Sequence, residues 1–302
     1  MIPDYQTVML PFLKQLADGK EHGFREIIEN LAVEFSVTEE ERKEFFPSGS
    51  QNIFDNRIGW ARTYLKKAKL IESPKRGYSV ITEDGLMVLK EKPDRIDVAY
   101  LKRFPAFTDF IGNKKEITDE AEQKSEIVQT PEESLEASYQ ELRKSLAQDL
   151  LQQVLSMSPA FFERLVVELL VKMGYGGSIN DAGRAIGRSG DEGIDGTIKE
   201  DRLGLDIIYI QAKRWQKGNV VGRPEIQKFV GALAGQGAKK GIFITTSSFT
   251  REAVDYTPRN ETKIVLIDGE KLSQFMIDFG IGVSMVNTYA VKRIDSDYFS
   301  EE

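Results

Sequence analysis

The chain has 302 residues, 40% hydrophobic and 29% charged, which is enough apolar material for two ordinary domains with a core each. A net charge of −7 with a pI near 5.2 excludes a generally basic coat, so any contact with nucleic acid has to be made by local basic clusters. Cysteine is absent, no apolar run approaches a membrane span, and MIPDYQTVMLPF lacks the pattern of a signal peptide, which together predict a cytoplasmic protein.

Residues 1–95 read as a compact helical domain with one small β-wing. Val8, Phe12, Leu13 and Leu16 fall on one face of a helix over Pro3 to Ala17, and Ile27, Ile28, Leu31 and Phe35 repeat the spacing over Phe24 to Phe35. Thr38 and Glu41 form a T-x-x-E capping box for a short helix ending near Pro47. From Gln51 to Lys69 the pattern predicts a third main helix with Ile53, Ile58, Ala61, Leu65 and Ala68 inward. Its outer face then carries Asn52, Arg57, Arg62, Lys66 and Lys67.

Two short strands, Leu70 to Ser73 and Tyr78 to Ile81, flank the turn Pro74-Lys75-Arg76-Gly77, and Thr82 caps the next helix. Helix, helix, basic helix and basic-tipped hairpin together predict a winged helix-turn-helix. In such a domain Asn52, Arg57, Arg62, Lys66, Lys67, Lys75 and Arg76 are the candidate DNA contacts. The alternative is an ordinary solvated helix face. Trp60 reads as core, and His22, the single histidine, reads as a surface residue, which excludes His-based metal or triad chemistry.

Residues 96–134 read as a linker, because Lys114 to Glu136 is rich in Glu, Lys, Gln, Ser and Thr and poor in large apolar residues. The remainder, 135–302, reads as an α/β domain with a mixed central sheet. It opens with an amphipathic helix (Leu135, Leu142, Leu146, Leu150, Val154) that packs either on this domain or on a second chain. Ser158 as N-cap and Pro159 at the first helical position start the next helix, which stops at Gly174. Glu163 and Glu168 lie on opposite flanks of its apolar stripe, so at most one of them reaches a common site.

The stretch Gly190 to Trp215 carries the chemistry. Asp195 and Thr197 point one way along a first strand, and Tyr209, Gln211 and Lys213 share a face of the second while Ile208, Ile210 and Ala212 face the core. If the hairpin register joins the two polar faces, Asp195, Gln211 and Lys213 converge. A carboxylate and an amide oxygen could then hold Mg²⁺, with an ammonium group beside an attacked phosphate. Asp191 is a further candidate ligand or a turn residue, and Arg184 and Arg188 lie in a Gly-rich loop nearby. A helix from Gly222, a buried strand Gly241 to Thr246, a helix near Thr250, a strand Ile264 to Ile267 and a helix Lys271 to Phe279 complete the domain. Thr245, Thr246 and Ser247 are placed to contact phosphate or to cap the following helix.

The words FERLVVELLVKMGY, QAKRW, VGRPEIQKFVGALAG and GIFITTSSFT follow the order of the catalytic domain of the Mrr-like restriction endonucleases, which this half of the chain resembles. That family is a D…QxK variant of the PD-(D/E)xK nucleases. NRIGWARTYLKKAKLI and RGYSVITEDG resemble its N-terminal domain. The resemblance implies a Mg²⁺-dependent endonuclease of type IV restriction, cutting methylated or otherwise modified double-stranded DNA. It assigns catalysis to Asp195, Gln211 and Lys213, metal binding to Asp195 and Gln211, and an added carboxylate to Glu163. Cutting both strands implies a homodimer or larger assembly. Gln211, where Glu is commoner, keeps open the alternative of a DNA-binding regulator with an inactive nuclease-like domain.

Overall fold

A computed structural model describes residues 1–111, 129–176, 193–201, 203–216, 218–256, 262–292, 294 and 298. The chain divides into two units, one formed by Met1–Gln140 with Lys292–Glu302 and the other by Glu141–Val291. Among the described residues no helix is long and apolar enough to cross a membrane.

In the first unit Asp4 opens α1 (Tyr5–Gln15) by accepting from the backbone N–H groups of Gln6 and Thr7 at 2.9 and 3.0 Å. Apolar residues at helical spacing then meet in one core: Val8, Phe12 and Leu13 from α1, Ile27 and Leu31 from α2 (Phe24–Glu34), and Phe54, Ile58, Ala61 and Leu65 from α4 (Ile53–Lys67). Burying each large side chain contributes about 1.5–3 kcal/mol. Between α2 and α4, α3 (Glu39–Arg42) starts with the capping box expected at Thr38 and Glu41. A strand the sequence did not announce, β1 (His22–Gly23), pairs antiparallel with β3 (Tyr78–Ile81). β3 pairs in turn with β2 (Ile71–Glu72), giving the order β1-β3-β2. Thr82 caps α5 (Glu83–Glu91) through the N–H of Gly85 at 3.1 Å.

The linker expected over 96–134 is corrected at both ends. Asp97 caps α6 (Val98–Leu101), α7 (Pro105–Ile111) follows, and Ile96, Leu101 and Phe107 are fully buried in the first core. These widely spaced apolar residues outweigh the charged ones around them because each fills space in the first core; Phe107 meets Tyr64 of α4 edge-on at 5.4 Å. Thr130 is also fully buried, its hydroxyl donating to Asn56 Oδ1 at 2.7 Å. Residues 112–128, most of the expected linker, lie outside the described residues. α8 (Pro131–Ser156) begins before Leu135; its residues to Gln140 belong to the first unit and those from Glu141 to the second.

Among the described residues the second unit is built on a four-stranded mixed sheet, as the sequence predicts. β4 (Gly196–Lys199) is antiparallel to β5 (Ile207–Lys213), and β5, β6 (Lys240–Thr245) and β7 (Lys263–Ile267) run parallel in the order β4-β5-β6-β7. Both faces are covered. On one, Ile208, Ile210, Ile242 and Ile244 pack with Phe162, Leu165 and Leu169 of α9 (Pro159–Lys172), with Leu150 and Val154 of α8, and with Leu272 and Met276 of α12 (Gly269–Asp278). On the other, Phe243 and Ile264 pack with Ile226, Phe229 and Leu233 of α10 (Arg223–Gly235) and Ala253 of α11 (Arg251–Asp255). Burial on two faces explains the near-continuous apolar run in β6.

Candidate active site

The β4–β5 register pairs Gly196 with Ile210 and Thr197 with Tyr209, and continues one residue further through the hydrogen bond from Asp195 N–H to the Ile210 carbonyl at 2.8 Å. Asp195 therefore lands beside Gln211, on the face that Tyr209 and Lys213 share. Asp195 Oδ2 accepts from the Ala212 backbone N–H at 2.7 Å and from Gln211 Nε2. Gln211 is only 2% exposed. Its Oε1 looks toward Gly193, where a Cβ would stand 3.2 Å away and where φ is +106°, so a larger residue at 193 would be strained and would crowd the amide.

A half-turn of the terminal amide of Gln211 exchanges the places of its nitrogen and oxygen. In that orientation a carboxylate oxygen and an amide oxygen stand side by side, a donor pair that fits a hard divalent cation. Among the described residues no group of three His, Cys, Asp or Glu side chains gathers in metal-holding geometry. Glu163 is half-buried on α9, and among the described residues no hydrogen bond or ion pair links it to Asp195 or Gln211. Glu168 is exposed and borders an apolar cleft shared with Leu150, Val154 and Met276. Asp191, Arg184 and Arg188 lie outside the described residues.

Lys213 ends β5 opposite Thr245. Its carbonyl accepts from the Thr245 hydroxyl at 2.9 Å and the Thr246 N–H at 3.2 Å, and the Thr246 hydroxyl donates to the Trp215 carbonyl at 2.8 Å. Thr245, Thr246 and Ser247 are all buried, and the hydroxyls of Thr245 and Thr246 lace the end of β5 to β6; the cap of α11 is Thr250. Arg214, which the sequence reading passed over, donates from Nη1 to the Leu155 carbonyl at 2.7 Å and ties the end of α8 to β5.

In the first unit the expected basic face is smaller than its sequence suggests. Asn52 is the N-cap of α4, accepting from Asp55 N–H at 3.2 Å and donating to the Arg42 carbonyl. Arg57 turns inward: it pairs with Glu133 at 2.7 Å and donates to the carbonyls of Ile2 and Pro3 at 2.9 and 3.2 Å. Arg62 clamps the hairpin to α4, donating to Ser79 Oγ at 2.9 Å, Ser73 Oγ at 3.0 Å and the Tyr78 carbonyl at 2.7 Å. It also lies over the Phe24 ring, and burial lowers its pKa. All three are thus engaged inside the unit through these bonds.

Lys66, Lys67, Lys75 and Arg76 are exposed. Lys67 stands over Phe110, and Lys75 over Tyr78 while pairing with Glu21 at 2.7 Å, a contact that raises its pKa. Trp60, expected in the core, is half-buried at its edge, edge-on to Tyr64 at 5.5 Å with Nε1 donating to Glu132. Arg62→Ala is expected to lower stability by about 1–3 kcal/mol, because the fully buried Ser79 hydroxyl loses its donor. Lys66→Gln should leave the melting temperature unchanged. Thermal melting of the two full-length variants checks both.

Residues 5–91 match the family described as Mrr N-terminal domain, and residues 154–276 match the family described as restriction endonuclease, Mrr_cat. A curated relative, the type IV methyl-directed restriction enzyme EcoKMrr of Escherichia coli strain K12, is 38% identical over 311 residues, covering 99% of each chain. Two solved structures are distantly similar. The DNA modification-dependent restriction endonuclease AspBHI has a TM-score of 0.36 and 15% identity over 70% of this chain and 56% of its own. The MspJI restriction endonuclease in complex with a 27-mer oligonucleotide has a TM-score of 0.34 and 20% identity over 65% of this chain and 42% of its own.

Proposed function

The chain belongs to the Mrr family of restriction endonucleases, and we propose that it is a Mg²⁺-dependent enzyme that cuts modified, in particular methylated, double-stranded DNA in the cytoplasm. The observation that carries the chemical part is the pairing of Asp195 with Gln211 on the strand that ends in Lys213. Asp195 and Gln211 would hold the ion, which when bound supplies Lewis acidity to water and to the phosphate. Lys213 places its ammonium group beside the attacked phosphate and stabilises the charge that develops there. Glu163, from α9, is the candidate third carboxylate on the family resemblance alone, since α9 packs on the sheet face opposite to that of Gln211. The preference for methylated DNA rests on the methyl-directed relative, which matches over nearly its whole length.

The first unit is the DNA-reading part in this proposal. Its order of helix, strand, helices and hairpin supports a winged helix, with α4 entering the major groove and β2–β3 as the wing. Lys66, Lys67, Lys75 and Arg76 contact phosphates. Changing all four to Gln should flatten the salt dependence of binding, since each phosphate contact contributes about −0.9 to the slope of log K against log salt. A gel-shift titration at several salt concentrations measures this, and an unchanged slope would remove DNA contact from α4 and the hairpin. Cleavage of both strands calls for a homodimer or larger assembly.

The reading as a whole is tested by incubating purified protein with methylated and unmethylated supercoiled plasmid, with Mg²⁺ or with a chelator. Linear product from methylated plasmid in Mg²⁺ alone is expected. Equal cutting of both plasmids would overturn the preference, and cutting in chelator would overturn the metal requirement.

A further inference from the structure

Glycine inside a helix is costly unless close packing demands it. At Gly85 in α5 packing does, because a Cβ would fall 2.2 Å from the Leu70 carbonyl oxygen and 2.6 Å from Ile81. Gly269 at the start of α12 is the same, with the Thr246 carbonyl oxygen 2.5 Å away. Gly59, in the middle of α4, has no such reason: a Cβ there would meet nothing within 4 Å. Gly231 in α10 is equally unobstructed but lies on an open exposed face. Gly59 instead lies in a cleft of about 960 Å³, lined also by Phe24, Trp60, Thr63, Lys66 and Arg76.

The walls of this cleft are fixed. The Thr63 hydroxyl donates to the Gly59 carbonyl at 2.9 Å, and the Trp60 indole is held between Tyr64 and Glu132. Glu132 puts a carboxylate at the Trp60 side, which disfavours a phosphate there and suits a base edge that carries N–H donors. Lys66 lies two turns along α4 from Gly59 and supplies positive charge where the backbone of a duplex would run.

We propose that Gly59 is the point of closest approach between α4 and DNA, and that the space left by its missing side chain receives a methyl group carried on a base edge in the major groove, against the Trp60 indole. The inference rests on the reading of α4 as the DNA-reading helix and adds to it the residue that senses the modification. 5-Methylcytosine and N6-methyladenine both present such a methyl. In Gly59→Ala the protein supplies its own methyl, so the gap closes while the helix gains a better former.

The test uses full-length protein and three duplexes of one sequence: unmodified, with 5-methylcytosine, and with N6-methyladenine. Gly59→Ala should melt about 2–4 °C higher, since the unit loses a glycine from a helix interior. Its ratio of affinities, the methylated duplex that wild type prefers over the unmodified one, should fall at least tenfold. Gly59→Ser should show the same loss of preference. A melting temperature lower than wild type in Gly59→Ala would show that the Cβ meets protein and would overturn the proposal, as would a preference left intact in both variants. The variant with Lys66, Lys67, Lys75 and Arg76 changed to Gln separates the two levels. If it weakens binding while Gly59→Ala keeps the preference, α4 still reads DNA and Gly59 is not the sensor; if neither changes anything, the reading of α4 falls with it.

Discussion

Asp195→Asn is expected to abolish Mg²⁺-dependent cleavage of methylated DNA, by a factor on the order of 10³, with folding and DNA binding intact. The local structure explains why the two properties separate. Asp195 Oδ2 accepts from the Ala212 N–H at 2.7 Å, and an asparagine oxygen can accept the same bond, so the latch between the start of β4 and β5 survives. The same oxygen also keeps the bond donated by Gln211 Nε2, so the amide does not have to turn. What disappears is the negative charge of the carboxylate that Gln211 contacts. Lys213→Ala should fall by a similar factor for a different reason, the loss of a cation at the phosphate. Its strand position is kept by its carbonyl, which Thr245 and Thr246 hold, and not by its side chain. Time courses of plasmid cleavage, run beside melting curves and gel shifts on the same preparations, give the answer. Wild-type cleavage by Asp195→Asn would remove the active site from this hairpin.

How far the sequence could be read depended on whether a residue's partners were near it in the chain. The hairpin was legible because alternation along β5 is a local property: Ile208 and Ile210 did turn to one core, and Tyr209, Gln211 and Lys213 to the opposite face. That the opposite face is itself a core, with Tyr209 packed among Phe229, Phe243 and Val221, depended on α10 and could not be seen from β5 alone. The caps at Thr38, Thr82 and Ser158 were legible for the same local reason. The partners of the basic residues of α4 were not legible because they are remote. Glu133 meets Arg57 from 76 residues away, and Ser79 meets Arg62 across the hairpin. A helix-surface pattern counts Arg57 and Arg62 as outward, whereas their five-donor guanidinium groups make them the residues best able to bind several carbonyls and hydroxyls at once. The glycine at 59 was invisible as a feature until the space around it could be compared with that around Gly85.

Gln211 decides whether this site holds metal as its geometry suggests, and its two substitutions should move apart. Gln211→Ala removes the amide oxygen, leaves Asp195 Oδ2 with the Ala212 N–H alone among its two present donors, and opens space at a position 2% exposed. Cleavage should drop by about 10²-fold or more, and the rise in melting temperature on adding Mg²⁺ should shrink toward zero. Gln211→Glu keeps an oxygen but sets a second carboxylate against Asp195 in a buried place, where like charges and desolvation raise the pair's apparent pKa above that of the unfolded chain. A raised folded pKa for an acid means that the folded state binds more protons, so this variant should lose stability as pH rises from about 4 through the neutral range. Mg²⁺ should restore that loss at pH 7–8, giving Gln211→Glu a larger Mg²⁺-induced shift in melting temperature than wild type and cleavage at lower Mg²⁺ concentration. Melting curves across pH and Mg²⁺ concentration read the binding without relying on catalysis. A Gln211→Ala protein whose melting temperature and cleavage respond to Mg²⁺ as wild type does would show that Gln211 is not a ligand, and would leave Asp195 to hold the ion with residues beyond this hairpin.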